Sequence, residues 1–237
     1  MTSGRNVNTL STDWGTPRKY VDAVKEVFDG EIDLDPCSNQ YSIVNAKIEY
    51  RLPENDGLKD SWNEERIYVN PPYGADKERG TNISHWLHRC ALANELHQSE
   101  VIALLPTAAN TDAWKHNIWG QARMICYLYD TRLKFLENGE EGGKGSPIQN
   151  CMVYWGTRYA SKFQKEFLKY GAVVDILDLQ KRKSIGGVKN ISMADRAKIR
   201  KSAEYNRLKK PDLISLAEER GLSSDGNKAD IIQRLMD

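Results

Sequence analysis

The run Arg66-Ile67-Tyr68-Val69-Asn70-Pro71-Pro72-Tyr73-Gly74 constrains this chain more than any other stretch. Its apolar, β-forming start reads as a strand, and two consecutive prolines end it, because neither has an N–H for the ladder and each fixes its own φ. The backbone must leave the sheet there, and rigidly. A turn of this kind can aim two acceptors, the Asn70 side-chain oxygen and the Pro71 carbonyl, at one amino group, with the Tyr73 ring beside them as a stacking surface. An amine conjugated to a purine or pyrimidine is a poor nucleophile, since its lone pair is delocalised into the ring. Two acceptors on its two hydrogens favour a pyramidal nitrogen, restore the lone pair and stabilise the positive charge that develops as it attacks a methyl group.

The flanking segments read as one α/β domain. Thr16 suits an N-cap and Pro17 a first helical residue, and Tyr20, Val21, Val24, Val27 and Phe28 follow at helical spacing until Gly30, predicting a helix over 17–28. Ile32 to Asp35 alternates as a strand that breaks at Asp35-Pro36-Cys37-Ser38. In an open α/β sheet, ligands sit outside the carboxyl ends of the strands, so an acid at that point is placed to meet a cofactor. Asn82 to His97 is an amphipathic helix, and Val101 to Pro106 a continuous apolar run suited to a strand covered on both faces. Asn110, Thr111 and Trp114 follow it, placed to touch a ligand or, for the first two, to cap a helix starting near Thr111. Strands over 122–129 and 150–155 flank a long polar loop with four glycines, and a helix over 161–170 and a strand over 173–177 close the domain. No Gly-Lys-Ser/Thr opens a helix after those glycines, so they cradle no phosphate.

Composition narrows the setting. The chain has 237 residues, 40% of them hydrophobic, with no apolar run of membrane-spanning length and no basic-then-apolar start, which predicts a cytosolic protein with neither span nor signal peptide. Cys37, Cys90, Cys126 and Cys151 lie too far apart for a Cys-x-x-Cys site, so neither a metal nor a disulfide framework is expected. The net charge of +1 conceals a strong division. Residues 181–210 hold eleven basic and two acidic side chains, residues 211–237 three basic and six acidic, which leaves −5 on residues 1–180. A dense basic block after an acidic domain suits a polyanion partner.

Taken in order, Trp14-Gly15-Thr16-Pro17, Leu34-Asp35-Pro36-Cys37-Ser38, Asp56-Gly57-Leu58 with Trp62, and Asn70-Pro71-Pro72-Tyr73-Gly74 resemble the compact phage-type DNA N6-adenine methyltransferases, over roughly residues 12 to 157. The resemblance implies a Rossmann-like S-adenosylmethionine-dependent methyltransferase sheet flanked by helices, working in the bacterial host cytoplasm. It implies that Thr16, Pro17, Asp33, Asp35, Pro36, Cys37, Ser38 and Asp56 bind S-adenosylmethionine, with Thr16 and Asp35 at its methionine end and Asp56 on its adenine amino group. Asn70, Pro71, Pro72 and Tyr73 would handle the substrate base, flipped out of the duplex. The glycine pair that usually follows the first acid is absent here, and no acid stands out for the ribose hydroxyls, Glu49 being a guess outside the main set. The same chemistry on cytosine N4, an RNA adenine or a protein glutamine, or an inactive DNA-binding protein on the same fold, are the other readings.

The end of the chain is similar to the SAP motif, a small helical DNA-binding module. A helix begins near Pro211 and ends at Gly221, and Asn227 with Asp230 reads as a capping pair for a second helix. The expected division is a methyltransferase domain over 1–180, a basic linker and helix over 181–205 and the SAP-like module over 206–237. Lys209, Lys210, Asn227 and Lys228 are its candidate phosphate contacts. No inserted recognition domain fits between Gly74 and Trp155, which predicts relaxed or very short sequence specificity.

Overall fold

The computed structural model describes residues 14–130, 132–141, 145–177, 201, 205 and 208–236. They fall into two compact units, Met1–Gly187 and Val188–Asp237. Most of the basic linker expected over 181–205 lies outside the described residues.

The first unit is built on a seven-stranded mixed sheet. Its strands are β2 (Leu34–Asp35), β3 (Ile48–Glu49), β4 (Arg66–Val69), β5 (Glu100–Pro106), β6 (Met124–Leu128), β9 (Asn150–Trp155) and β10 (Gly171–Asp175), in the order β10-β6-β9-β5-β4-β2-β3. The four from β3 to β5 run parallel, and β9, β6 and β10 continue the sheet antiparallel. The carboxyl ends of β2, β4 and β5 therefore share one rim, where β9 also begins, since Asn150 pairs with Pro106. A second, small sheet joins β1 (Trp14–Gly15) to a hairpin of β7 (Leu136–Glu137) and β8 (Glu140–Glu141), inside the loop expected to be irregular.

Period-two alternation along β5 sets up the three layers. Val101, Ala103 and Leu105 pack with α2 (Ile83–His97) and α3 (Asp112–Asn117) on one face, whereas Ile102 and Leu104 pack with α1 (Arg18–Val27) and α4 (Ala160–Phe167) on the other. Asn82 caps α2 by accepting from the Ser84 amide, and His85 Nδ1 accepts from the Asn82 N–H in return. Thr111 caps α3, the second of the two readings its position allowed, and Trp114 packs in the core, 2% exposed. At the rim opposite the β4 turn, the buried Glu100 carboxylate accepts from the Tyr154 hydroxyl and from the amides of Thr157 and Arg158, fixing the entry to α4.

The second unit packs α5 (Lys210–Glu219) against α6 (Lys228–Met236) through Leu213, Ala217, Ile231, Ile232 and Leu235. Gly221 at φ +67° ends α5, and the Leu222 amide returns to the Ala217 carbonyl. The Asn227–Asp230 pair caps α6 in both directions: Asn227 Oδ1 accepts from the Ala229 and Asp230 amides, and Asp230 Oδ2 from the Asn227 amide. Lys209 and Lys210 are exposed at the start of α5.

Candidate active site

Four separated sequence motifs meet at the shared rim. Thr16 does not cap α1, which begins after Pro17; its buried hydroxyl lies 2.6 Å from the Tyr68 hydroxyl. A hydrophobic strand that brings a tyrosine hydroxyl inside offers a better partner than solvent-exposed amides, and the contact ties the chain start to β4. Two residues earlier, the Trp14 carbonyl accepts from Asn70 Nδ2 at 3.2 Å. Because the amide nitrogen of Asn70 is committed there, its Oδ1 is left as the outward acceptor.

Asp35 ends β2 at the rim and is 4% exposed, its Oδ1 accepting from the Cys37 amide at 3.1 Å. Burial pushes its pKa up to about 7, reinforced by Glu49 and opposed by the Cys37 amide and Arg51. The Cys37 thiol in turn accepts from the Asn70 backbone N–H, and burial raises its pKa far above the usual thiol range. The first acidic turn and the Asn-Pro-Pro-Tyr turn are thus in direct contact.

Asp56-Gly57-Leu58 is brought to the same place by the absence of a side chain. A Cβ on Gly57 would lie 1.8 Å from the Pro36 carbonyl oxygen, so only glycine lets this segment lie against the acidic turn. The Trp62 indole, 2% exposed, donates to the Gly57 carbonyl at 2.8 Å, which explains the Trp62 that accompanies the motif. Asp56 accepts from the Leu58 amide and from Arg79, at 3.0 and 2.5 Å. Burial acts to raise its pKa, but these hydrogen bonds and the Arg79 charge outweigh it and hold the carboxyl below its ordinary value.

Pro71 is buried and Pro72 exposed, and Tyr73 leaves them half-buried. The Tyr73 hydroxyl donates to the Leu104 carbonyl at 3.2 Å and accepts from Asn150 Nδ2 at 3.1 Å. Its ring meets Phe135 edge-on with centroids 5.8 Å apart, and Phe135 stacks on Trp14 at 5.1 Å. Burial raises the Tyr73 phenol well above its usual range, so it stays a neutral donor.

One assignment changes. Asp33 lies at the start of β2, away from the rim, and its carboxylate pairs with Arg66 and Lys47; burial acts to raise its pKa, and the Arg66 and Lys47 contacts together lower it. It is a strut between β2 and β4 and does not join Asp35. Asn227 caps α6 through its side-chain oxygen, which leaves its Nδ2 to meet a phosphate. Glu49, kept outside the main set of candidates, ends β3 in register with Asp35, next to Arg51. A strand of two residues leaves almost no periodic signal in the sequence, so its end was not legible as a rim position. Among the described residues no cluster of His, Cys, Asp and Glu could hold a metal, and no helix is long and apolar enough to cross a membrane.

An open α/β sheet with acidic, glycine and Asn-Pro-Pro-Tyr turns gathered on one rim defines the methyltransferase class of α/β enzyme. More specifically, the chain belongs to the DNA N-6-adenine-methyltransferase (Dam) family, whose model matches residues 5–176, and a SAP domain model matches residues 204–237. No curated protein and no solved structure matches it. It is thus a DNA adenine-N6 methyltransferase with a DNA-binding SAP domain.

Proposed function

We propose that the chain uses S-adenosylmethionine to methylate the N6 amino group of a flipped-out adenine in DNA, with relaxed or very short sequence specificity, in the bacterial cytoplasm. The rim residues suit that donor: a buried carboxylate at Asp35 with a pKa near 7 gains a reason to ionise beside an ammonium or sulfonium, and Gly57 leaves the backbone bare beside it. Glu49 is placed for a pair of hydroxyls, because an acid at the end of the neighbouring parallel strand is where ribose is held in such sheets. Asp56 is an ionised acceptor for a purine amine.

When bound, the donor supplies a methyl group on sulfur. The residues of the chain do the rest. Asn70 Oδ1 and the Pro71 carbonyl accept from the two N6 hydrogens and draw the lone pair out of the ring, and Tyr73 stacks on the base. The lone pair forms the N–C bond as the C–S bond breaks toward sulfur, and the surplus proton then leaves nitrogen for water. Acceptors already in place lower the barrier because they need not reorganise as charge develops.

The organisation expected from the sequence is part of the proposal: catalysis over 1–180, a basic linker over 181–205 and a SAP module over 206–237, with Lys209, Lys210, Asn227 and Lys228 on phosphates. The observation that carries the reading is the Asn70–Trp14 bond, which turns Oδ1 outward at the point where Cys37 touches the same residue. Incubation with methyl-labelled S-adenosylmethionine and unmethylated DNA should yield N6-methyladenine at many sequence contexts. Asn70→Ala should lower kcat by about 100-fold or more, the usual size for removing one preorganised polar group, and leave DNA binding intact. A single long preferred site, or an Asn70→Ala protein as active as wild type, would refute the reading.

A further inference from the structure

Asn150 opens β9 at the rim, paired in register with Pro106, and is 3% exposed. Its Nδ2 reaches the Tyr73 hydroxyl, but its Oδ1 is buried with no hydrogen-bond partner among the described residues. For stability alone this is a poor choice, since a buried acceptor left unmade is unfavourable and an apolar side chain would avoid it. What the amide does supply is a donor at the far end of the Tyr73 ring.

We propose that Asn150 is a positioning residue that fixes Tyr73 as the stacking surface for the target base; the inference rests on the methyltransferase reading of the rim. Tyr73 follows two prolines whose backbone is rigid, so its own χ angles are the remaining freedom of the platform. Its hydroxyl bridges β5 and β9, donating to the Leu104 carbonyl and accepting from Asn150. The ring edge is held by Phe135, which stacks on Trp14, whose carbonyl orients the Asn70 amide. Platform and amine acceptor are therefore set by one connected series of contacts, and Asn150 is its anchor on the side of β9. The phenol, raised well above its ordinary range by burial, keeps the proton it donates to Leu104.

The test is a double-mutant cycle with Tyr73→Phe, which keeps the ring and removes the hydroxyl, and Asn150→Ala, in the full-length chain. Each single change is expected to lower kcat/KM for DNA about 5- to 10-fold, the size of one net hydrogen bond. The double variant should lose no more than either, and the affinity for S-adenosylhomocysteine should stay at the wild-type value. A 2-aminopurine at the target position should lose its stacked, quenched emission to the same extent in all three variants. Tyr73→Phe retains the packing of the ring, so it reads the tether even if Asn150→Ala does not fold. Losses that multiply in the double variant, or a Tyr73→Phe protein with wild-type kcat/KM and emission, overturn the role of Asn150 while leaving methyl transfer standing. A wild-type chain that methylates no DNA overturns this assignment together with the reading of the rim.

Discussion

If the proposed S-adenosylmethionine site holds, Asp35 should make its affinity depend on pH in a direction that can be worked out. The Asp35 carboxyl is buried, accepts from the Cys37 amide and feels Glu49 at the end of the neighbouring strand and Arg51 just beyond it, and its pKa is pushed up to about 7 against 3.8 for the ordinary group. With that value roughly one molecule in eleven carries the carboxylate at pH 6 and about ten in eleven at pH 8. A ligand whose ammonium needs the carboxylate should therefore bind about 10-fold more tightly at pH 8 than at pH 6. Titration calorimetry with S-adenosylhomocysteine measures this, and Asp35→Asn should bind weakly with a flat profile. Stability moves the other way. A carboxyl whose folded pKa is raised contributes most below pH 3.8 and loses that contribution as pH rises through about 7, so the unliganded chain should melt lower at pH 8 than at pH 5 by this group, and Asp35→Asn should remove that difference. Wild-type affinity that does not change between pH 6 and 8, or an Asp35→Asn protein that keeps the full slope, would show that another group carries the effect.

Gly57→Ala places a Cβ 1.8 Å from the Pro36 carbonyl oxygen, a main-chain atom that cannot yield cheaply. Thermal or urea unfolding should show a loss of about 1–3 kcal/mol, and S-adenosylhomocysteine affinity should fall as Asp56 moves away from Asp35. In the tail, replacing Lys209 and Lys210 by Gln should reduce the slope of log affinity against log salt by about 2 for duplex DNA, uniformly across sequences, without altering kcat at saturating DNA. An unchanged slope would mean that α5 does not face the backbone.

How much of this was legible in the sequence depended on how local the signal is. The two prolines after Val69, the helical spacing from Tyr20 to Phe28 and the apolar run of β5 each carry their structure in a handful of neighbouring residues, and the strands and helices they predict are there. Asn227 and Asp230 form the reciprocal cap their spacing suggests. What was lost is tertiary. Thr16 looks like a cap because a threonine before a proline usually is one, and only the fold shows that a tyrosine 52 positions later claims its hydroxyl. Asp33 and Asp35 look equivalent in sequence, but one stands at the entry to β2 beside Arg66 and the other at its rim end, where it is buried. Glu49, Asn150 and the Trp14 carbonyl sit on elements too short, or act through atoms too generic, to leave a motif. The β7–β8 hairpin was hidden for the same reason, since two-residue strands among charged residues have no period.

The pairing of β1 with β7 joins Trp14 to residues more than a hundred positions later, and the Asn70 amide hangs from that seam. Any change that loosens the β1–β7 pairing therefore reaches the Asn70 amide from the far end of the domain.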